Sequence, residues 1–143
     1  MNINSIFMDT WGWLALAHRQ DSYHSVVKKL YIQLRQKNVK FYTSQYVLDE
    51  LITLLFRREH FAYAQMFIEG LLENEKLGLL RIEEINEQRF QATWALRKQL
   101  QDKPTISFTD LSSCIIMQEL GIVYILTQDK HFLQVGMGFI NLP

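Results

Sequence analysis

Apolar positions along this chain alternate between short continuous runs, the mark of buried strands, and longer stretches at helical spacing. Asn4 to Met8 reads as a buried strand ending at Asp9, and residues 10–18 as a brief helix. Asp21 or Ser22 is placed to cap a second helix, in which Tyr23, Val26, Val27, Leu30 and Leu34 recur on one face and Asn38 is the stop. Val39 to Thr43 is the next strand. Ser44 then caps a helix to about Arg58, with Val47, Leu48, Leu51, Leu54 and Leu55 inward and Glu50 in its middle. Phe61, Ala64, Ile68, Leu71 and Leu72 mark a helix near residues 60–74. Leu79 to Glu83 is a third strand, and residues 86–101 form another helix. Ser107 or Thr109 opens a helix that ends at Gly121, followed by the buried run Ile122 to Leu126 and an edge strand from Gly138 to Leu142.

Strands separated by helices of this length need right-handed crossovers, so a parallel sheet between helical layers is the predicted architecture. No repeat, low-complexity run or Gly/Ser/Pro-rich linker interrupts it, and 143 residues with 48% hydrophobic content suit one domain spanning residues 1–143. The N-terminal stretch lacks a basic segment with a small-residue cleavage site, and no apolar run reaches roughly 18 residues, so a soluble intracellular protein is expected. The single cysteine, Cys114, cannot form a disulfide within the chain or a zinc cluster with other cysteines, and reads as a small core residue. Fifteen basic and fifteen acidic residues balance, so bulk charge does not attract nucleic acid and any phosphate chemistry must be local.

The acidic residues are where such a site could lie. In an open parallel sheet, ligands bind beyond the carboxyl ends of the strands, where the strand order reverses. Asp9 directly follows the first strand, Asp129 follows the run ending at Leu126, and Asp110 lies in the first turn of a helix, where the dipole favours an anion. Crowded carboxylates raise one another's pKa, and a hard cation such as Mg²⁺ or Mn²⁺ removes that cost. Each acid taken alone has a plainer reading: Asp110 as a cap, Asp129 as a loop residue, Glu50 as a solvated helix position. Asp9, wedged between a buried strand and the apolar run Trp11 to Leu16, is the hardest to explain by folding alone.

Four segments together resemble the PIN domain of the VapC toxin type. They are Ile6-Phe7-Met8-Asp9-Thr10, the step from Thr43-Ser44 to Glu50-Leu51, Ser107-Phe108-Thr109-Asp110, and Leu126-Thr127-Gln128-Asp129-Lys130-His131-Phe132 followed by Gly136. The resemblance covers nearly the whole chain. It implies a three-layer α/β/α fold with a parallel sheet of about five strands in the order 3-2-1-4-5 and a protruding helical hairpin. It also implies that Asp9, Glu50, Asp110 and Asp129 bind Mg²⁺ or Mn²⁺ for endoribonuclease chemistry, with Thr127, Thr10 and Ser107 in support. By the same resemblance the protein is the cytoplasmic, prokaryotic toxin of a toxin-antitoxin pair, a homodimer with an RNA substrate and a small antitoxin partner; the lack of a long apolar run adds the expectation of no membrane association.

Trp11 departs from the family, where a smaller residue is usual after the Asp-Thr pair, and this narrows the rim of the site. Arg57, Arg58, Lys103, Lys130 and His131 are candidates for phosphate contacts, against the plainer reading of solvated surface charge. Phe61, Tyr63, Phe67, Trp11 and Trp13 read as core and dimer surface before base-stacking groups. Two alternatives compete with the nuclease. One is a catalytically silent PIN-like module that binds RNA or protein, which would have no use for four crowded acids. The other is a phosphatase or receiver-like domain with Asp9 as nucleophile, which would place a second aspartate where Trp11 stands.

Overall fold

The computed structural model describes residues 2–143. Its elements run β1 (Ser5–Met8), α1 (Thr10–Ala17), α2 (His24–Gln36), β2 (Lys40–Ser44), α3 (Gln45–Arg58), α4 (Phe61–Lys76), β3 (Leu80–Glu83), α5 (Glu87–Gln99), α6 (Phe108–Leu120), β4 (Tyr124–Leu126), α7 (His131–Gln134) and β5 (Ile140–Leu142). The strands form one sheet in the order β3-β2-β1-β4-β5, with every neighbouring pair parallel. Helices intervene between successive strands as the parallel connections require. Helices α3 and α4, joined through Glu59 and His60, make the hairpin expected from the family pattern.

Ile6, Phe7 and Met8 of β1, with Ile125 and Leu126 of β4, are fully buried, so the centre of the sheet is covered on both faces. Local chemistry explains where the helices start. Ser44 accepts a hydrogen bond from the Val47 amide, Asn86 from the Arg89 amide and Ser107 from the Asp110 amide. Gly121 closes α6 in the left-handed region at φ 69°, and Asn38 turns the chain after α2 at φ 59°.

Several expectations need correction. Helix α2 starts at His24, later than an Asp21 or Ser22 cap would place it, because Asp21 Oδ1 accepts from the Tyr23 amide inside a turn. That turn directs Val27 and Leu34 into the core and leaves Tyr23 and Val26 exposed. The run Ile122 to Leu126 is strand only over its last three residues, since the Ile122 amide returns to the Met117 carbonyl and closes α6. On α4, Ala64 and Leu71 are buried, but Phe61 and Leu72 face outward. The four-residue helix α7 is too short to show a period.

One close approach ties the fold to the site. A Cβ on Gly12 would lie 2.5 Å from the Leu126 carbonyl oxygen and 2.8 Å from its Cδ2, so α1 can sit this near β4 only without a side chain. Trp13 Nε1, one residue on, donates to Thr43 Oγ1 (3.0 Å), which donates to the Met8 carbonyl (2.9 Å) and so joins α1, β2 and β1. Gly12→Ala is expected to cost about 1–3 kcal/mol in urea unfolding.

A carboxylate cleft at the carboxyl edge of the sheet

Strand β1 ends into Asp9 and β4 into Thr127, on either side of the point where the strand order reverses. Asp9 is buried at 3% exposure. Its Oδ2 accepts from Thr127 Oγ1 at 2.8 Å, and Thr127 Oγ1 in turn accepts from the Asp129 amide at 3.0 Å. One hydroxyl therefore sets two of the acids. Asp9 Oδ1 is buried without a hydrogen-bond partner, as is the neighbouring Thr10 Oγ1. Thr127→Val keeps the shape but removes both hydrogen bonds, and is expected to lower stability by about 1–3 kcal/mol, measured by urea unfolding.

A cleft of about 380 Å³ opens beside these groups, lined by Asp9, Thr10, Glu50, Ser107, Asp110 and Asp129 together with Trp11, Leu14, Asp21, Leu54, Arg58 and His131. All four predicted acids thus face one space. Ser107, as the cap of α6, presents Asp110 in the first helical turn. Arg97 holds the preceding loop by donating to the carbonyls of Leu100, Lys103 and Ile106 at 2.6–2.7 Å. Trp11 stands at the wall and meets Tyr23 edge to face, consistent with a narrowed rim.

His131 has a larger place than a surface contact. Its Nδ1 lies 2.9 Å from Asp110 Oδ2 and 3.2 Å from Asp129 Oδ1, and its amide donates to Asp129 Oδ1. Asp110, Asp129 and His131 can together offer three ligand atoms within 4.8 Å of one another. Arg58 lines the cleft, whereas Arg57 lines a neighbouring hollow and Lys130 is exposed outside it. Lys103 pairs with Asp102. Asp21 also lines the cleft, although as a turn residue after α1 it carried no sequence signal beyond helix capping.

The electrostatics are those of an underneutralised acidic site. Burial pushes the Asp9 carboxyl up to about 7, the nearby Asp110 charge adds to this, and the Thr127 hydroxyl opposes it. Asp110 is raised by burial and held back by His131. Among the described residues, no lysine or arginine lies within ion-pair distance of Asp9, Glu50, Asp110 or Asp129. Burial also raises the Cys114 thiol, which stays protonated in the core as a small apolar group.

The sheet order and the acidic cleft at its switch point define a doubly wound α/β protein with a carboxylate site. The PIN domain model matches residues 6–137, and the chain belongs to the PIN domain family. Among solved structures it is similar to VapC20 of Mycobacterium tuberculosis, a sarcin-ricin loop cleaving toxin. That likeness has 27% identity, covers 94% of this chain and 96% of that one, and gives a TM-score of 0.78. The fold also matches Rickettsia felis VapBC2 bound to a DNA fragment from their promoter, at 19% identity, 96% and 97% coverage and a TM-score of 0.66. PAE2754 of Pyrobaculum aerophilum matches at 18% identity, 99% and 92% coverage and a TM-score of 0.63. No curated protein matches the chain significantly.

Proposed function

We propose that residues 1–143 act as one divalent-cation-dependent endoribonuclease domain, the toxin of a toxin-antitoxin pair. The observation that carries this reading is that Asp9, Glu50, Asp110 and Asp129 line one cleft, where among the described residues no lysine or arginine lies within ion-pair distance of any of them. The donors fit a hard cation: all four side chains are carboxylates, and the buried Asp9 Oδ1 lacks any hydrogen-bond partner. Asp9, Asp110 and Asp129 would hold Mg²⁺ or Mn²⁺, with Glu50 completing the set from α3. When bound, such a cation lowers the pKa of a water molecule and stabilises charge on a phosphate ester.

The protein's own groups do the positioning. Thr127 fixes Asp9 and the Asp129 backbone, and His131 holds Asp110 and Asp129 side by side. Arg58 supplies positive charge on the cleft wall for a phosphodiester, and Trp11 and Leu14 form the apolar part of the same wall. The likeness to VapC20 supports RNA as the substrate class, and the VapBC2 likeness supports a small antitoxin partner. A homodimer is part of the same reading. No helix among the described residues is long and apolar enough to cross a membrane.

The test is incubation of antitoxin-free protein with an end-labelled RNA pool in Mg²⁺ or Mn²⁺, beside EDTA and an Asp9→Asn variant. Cleavage that disappears in both controls and leaves 5′-phosphate and 3′-hydroxyl ends is expected. Absence of cation binding in calorimetry would overturn the carboxylate site and favour a module that binds RNA or protein without cutting.

A further inference from the structure

Beside the acidic cleft lies a second hollow of about 570 Å³ at the turn between α3 and α4, lined by His18, Arg19, Arg57, Arg58, Glu59 and His60, with Gln20. Its charge is opposite in sign to the cleft's. Three arginines and one glutamate give it a local charge of +2 with both histidines neutral, on a chain whose formal net charge is zero. Glu59 is already engaged, since its Oε1 lies 3.0 Å from His18 Nδ1 and its Oε2 3.9 Å from Arg19. Arg19 is further held with its guanidinium 4.1 Å above the Tyr63 ring, and Tyr63 donates to the Ala17 carbonyl at 2.7 Å. Among the described residues, Arg57 and Arg58 have no carboxylate within ion-pair distance, and both are exposed.

The two arginines occupy the last turn of α3, where the helix dipole favours cations. That effect explains a cation at the helix end, but it does not call for His18 and Arg19, which follow α1, to meet Arg57, Arg58 and His60 on the same hollow. Arg58 lines both the hollow and the carboxylate cleft, so the positive surface is continuous with the acidic one. A hollow that begins at the wall of a phosphodiester-cleaving cleft and carries unpaired guanidinium groups suits a polyanion that runs past the point of cleavage.

We propose that this hollow is a backbone-binding subsite, in which Arg57 and Arg58 contact phosphates of the RNA strand adjacent to the scissile bond. The assignment rests on the nuclease reading above. It explains how a chain of zero formal charge can hold RNA: the attraction is confined to one side of the site instead of being spread over the surface. The contacts are to phosphate, so they position the strand and do not select its bases.

The test measures binding of a labelled single-stranded RNA of mixed sequence in EDTA across a salt series, and cleavage of the same RNA in Mn²⁺. The proteins compared are the parent, Arg57→Gln, Arg57→Gln/Arg58→Gln, and Lys98→Gln as a charge-matched control on α5. The double variant is expected to bind about 10-fold more weakly at about 0.1 M salt and to lose about 1.4 from the slope of log affinity against log salt, at about 0.7 per phosphate contact on a single strand. Arg57→Gln should raise KM and retain kcat, and Lys98→Gln should match the parent. A parent that cuts RNA while both arginine variants keep its affinity, KM and salt slope would overturn the subsite and leave the nuclease standing. A parent that neither binds nor cuts RNA overturns both.

Discussion

Asp9→Asn is expected to abolish RNA cleavage while making the cation-free protein more stable at pH 8. Both effects come from the same buried oxygen pair. The amide keeps an acceptor for the Thr127 hydroxyl, so the local hydrogen bond and shape survive. What disappears is a charge that burial and Asp110 both oppose in the free protein and that a cation requires in the bound one. Loss of a cation-anchoring carboxylate removes several kcal/mol of transition-state stabilisation, and at about 1.4 kcal/mol per tenfold this is a loss of about three orders of magnitude or more. Single-turnover cleavage in saturating Mn²⁺ and urea unfolding in EDTA at pH 8 measure the two effects. A variant that cuts within tenfold of the parent would remove Asp9 from the mechanism.

The second large effect is a dependence of stability on pH that divalent cation reverses. The Asp9 carboxyl is raised from its ordinary 3.8 to about 7, so the stability it contributes is fully present below about pH 4 and is lost as the pH rises through about 7. Asp110 is shifted in the same direction. In EDTA the protein should therefore be less stable at pH 8 than at pH 5, by roughly 2–4 kcal/mol. On the proposed function Mn²⁺ is taken up by the ionised site, so it should restore stability at pH 8 and do little at pH 5, where protons compete for the same oxygens. Thermal unfolding at the two pH values, with and without Mn²⁺, decides the matter. Equal melting temperatures in EDTA at both, with no upward shift on adding Mn²⁺ at pH 8, would contradict an underneutralised cation site.

Much of the fold was legible because it depends on local signals. Ser44 and Ser107 cap α3 and α6 as read from sequence, and the 3-2-1-4-5 parallel order implied by the resemblance is the order found. The misread surfaces, such as exposed Val26 and Phe61, share a cause. Helical spacing shows which residues lie on one face, but a preceding turn or an outer position in the hairpin decides how much of that face another element covers. The strand after α6 is shorter than the apolar run from Ile122, because an apolar residue that closes a helix looks, in one dimension, like one that enters a sheet.

The same division runs through the candidate site. Asp9, Glu50, Asp110 and Asp129 could be picked out because acids stand at strand exits, in a helix's first turn and at a matching motif position, and all four line the cleft. His131 reads in the sequence only as a candidate phosphate contact. Only the fold brings its ring between Asp110 and Asp129. Arg57 and Arg58 are adjacent in sequence, yet only Arg58 reaches the cleft, because consecutive helical residues point about 100° apart and one wall admits only one of them. By itself, then, the sequence determined most of the elements, the Ser44 and Ser107 caps and which acids stand at the ends of strands, since hydrophobic period and turn chemistry act over a few residues. The tertiary structure alone decided the Thr127–Asp9 hydrogen bond across 118 positions, the Gly12 approach to β4 and the sign of charge on each side of the cleft. Those depend on how distant elements cross and which rotamers the crossing allows, and no local pattern encodes that.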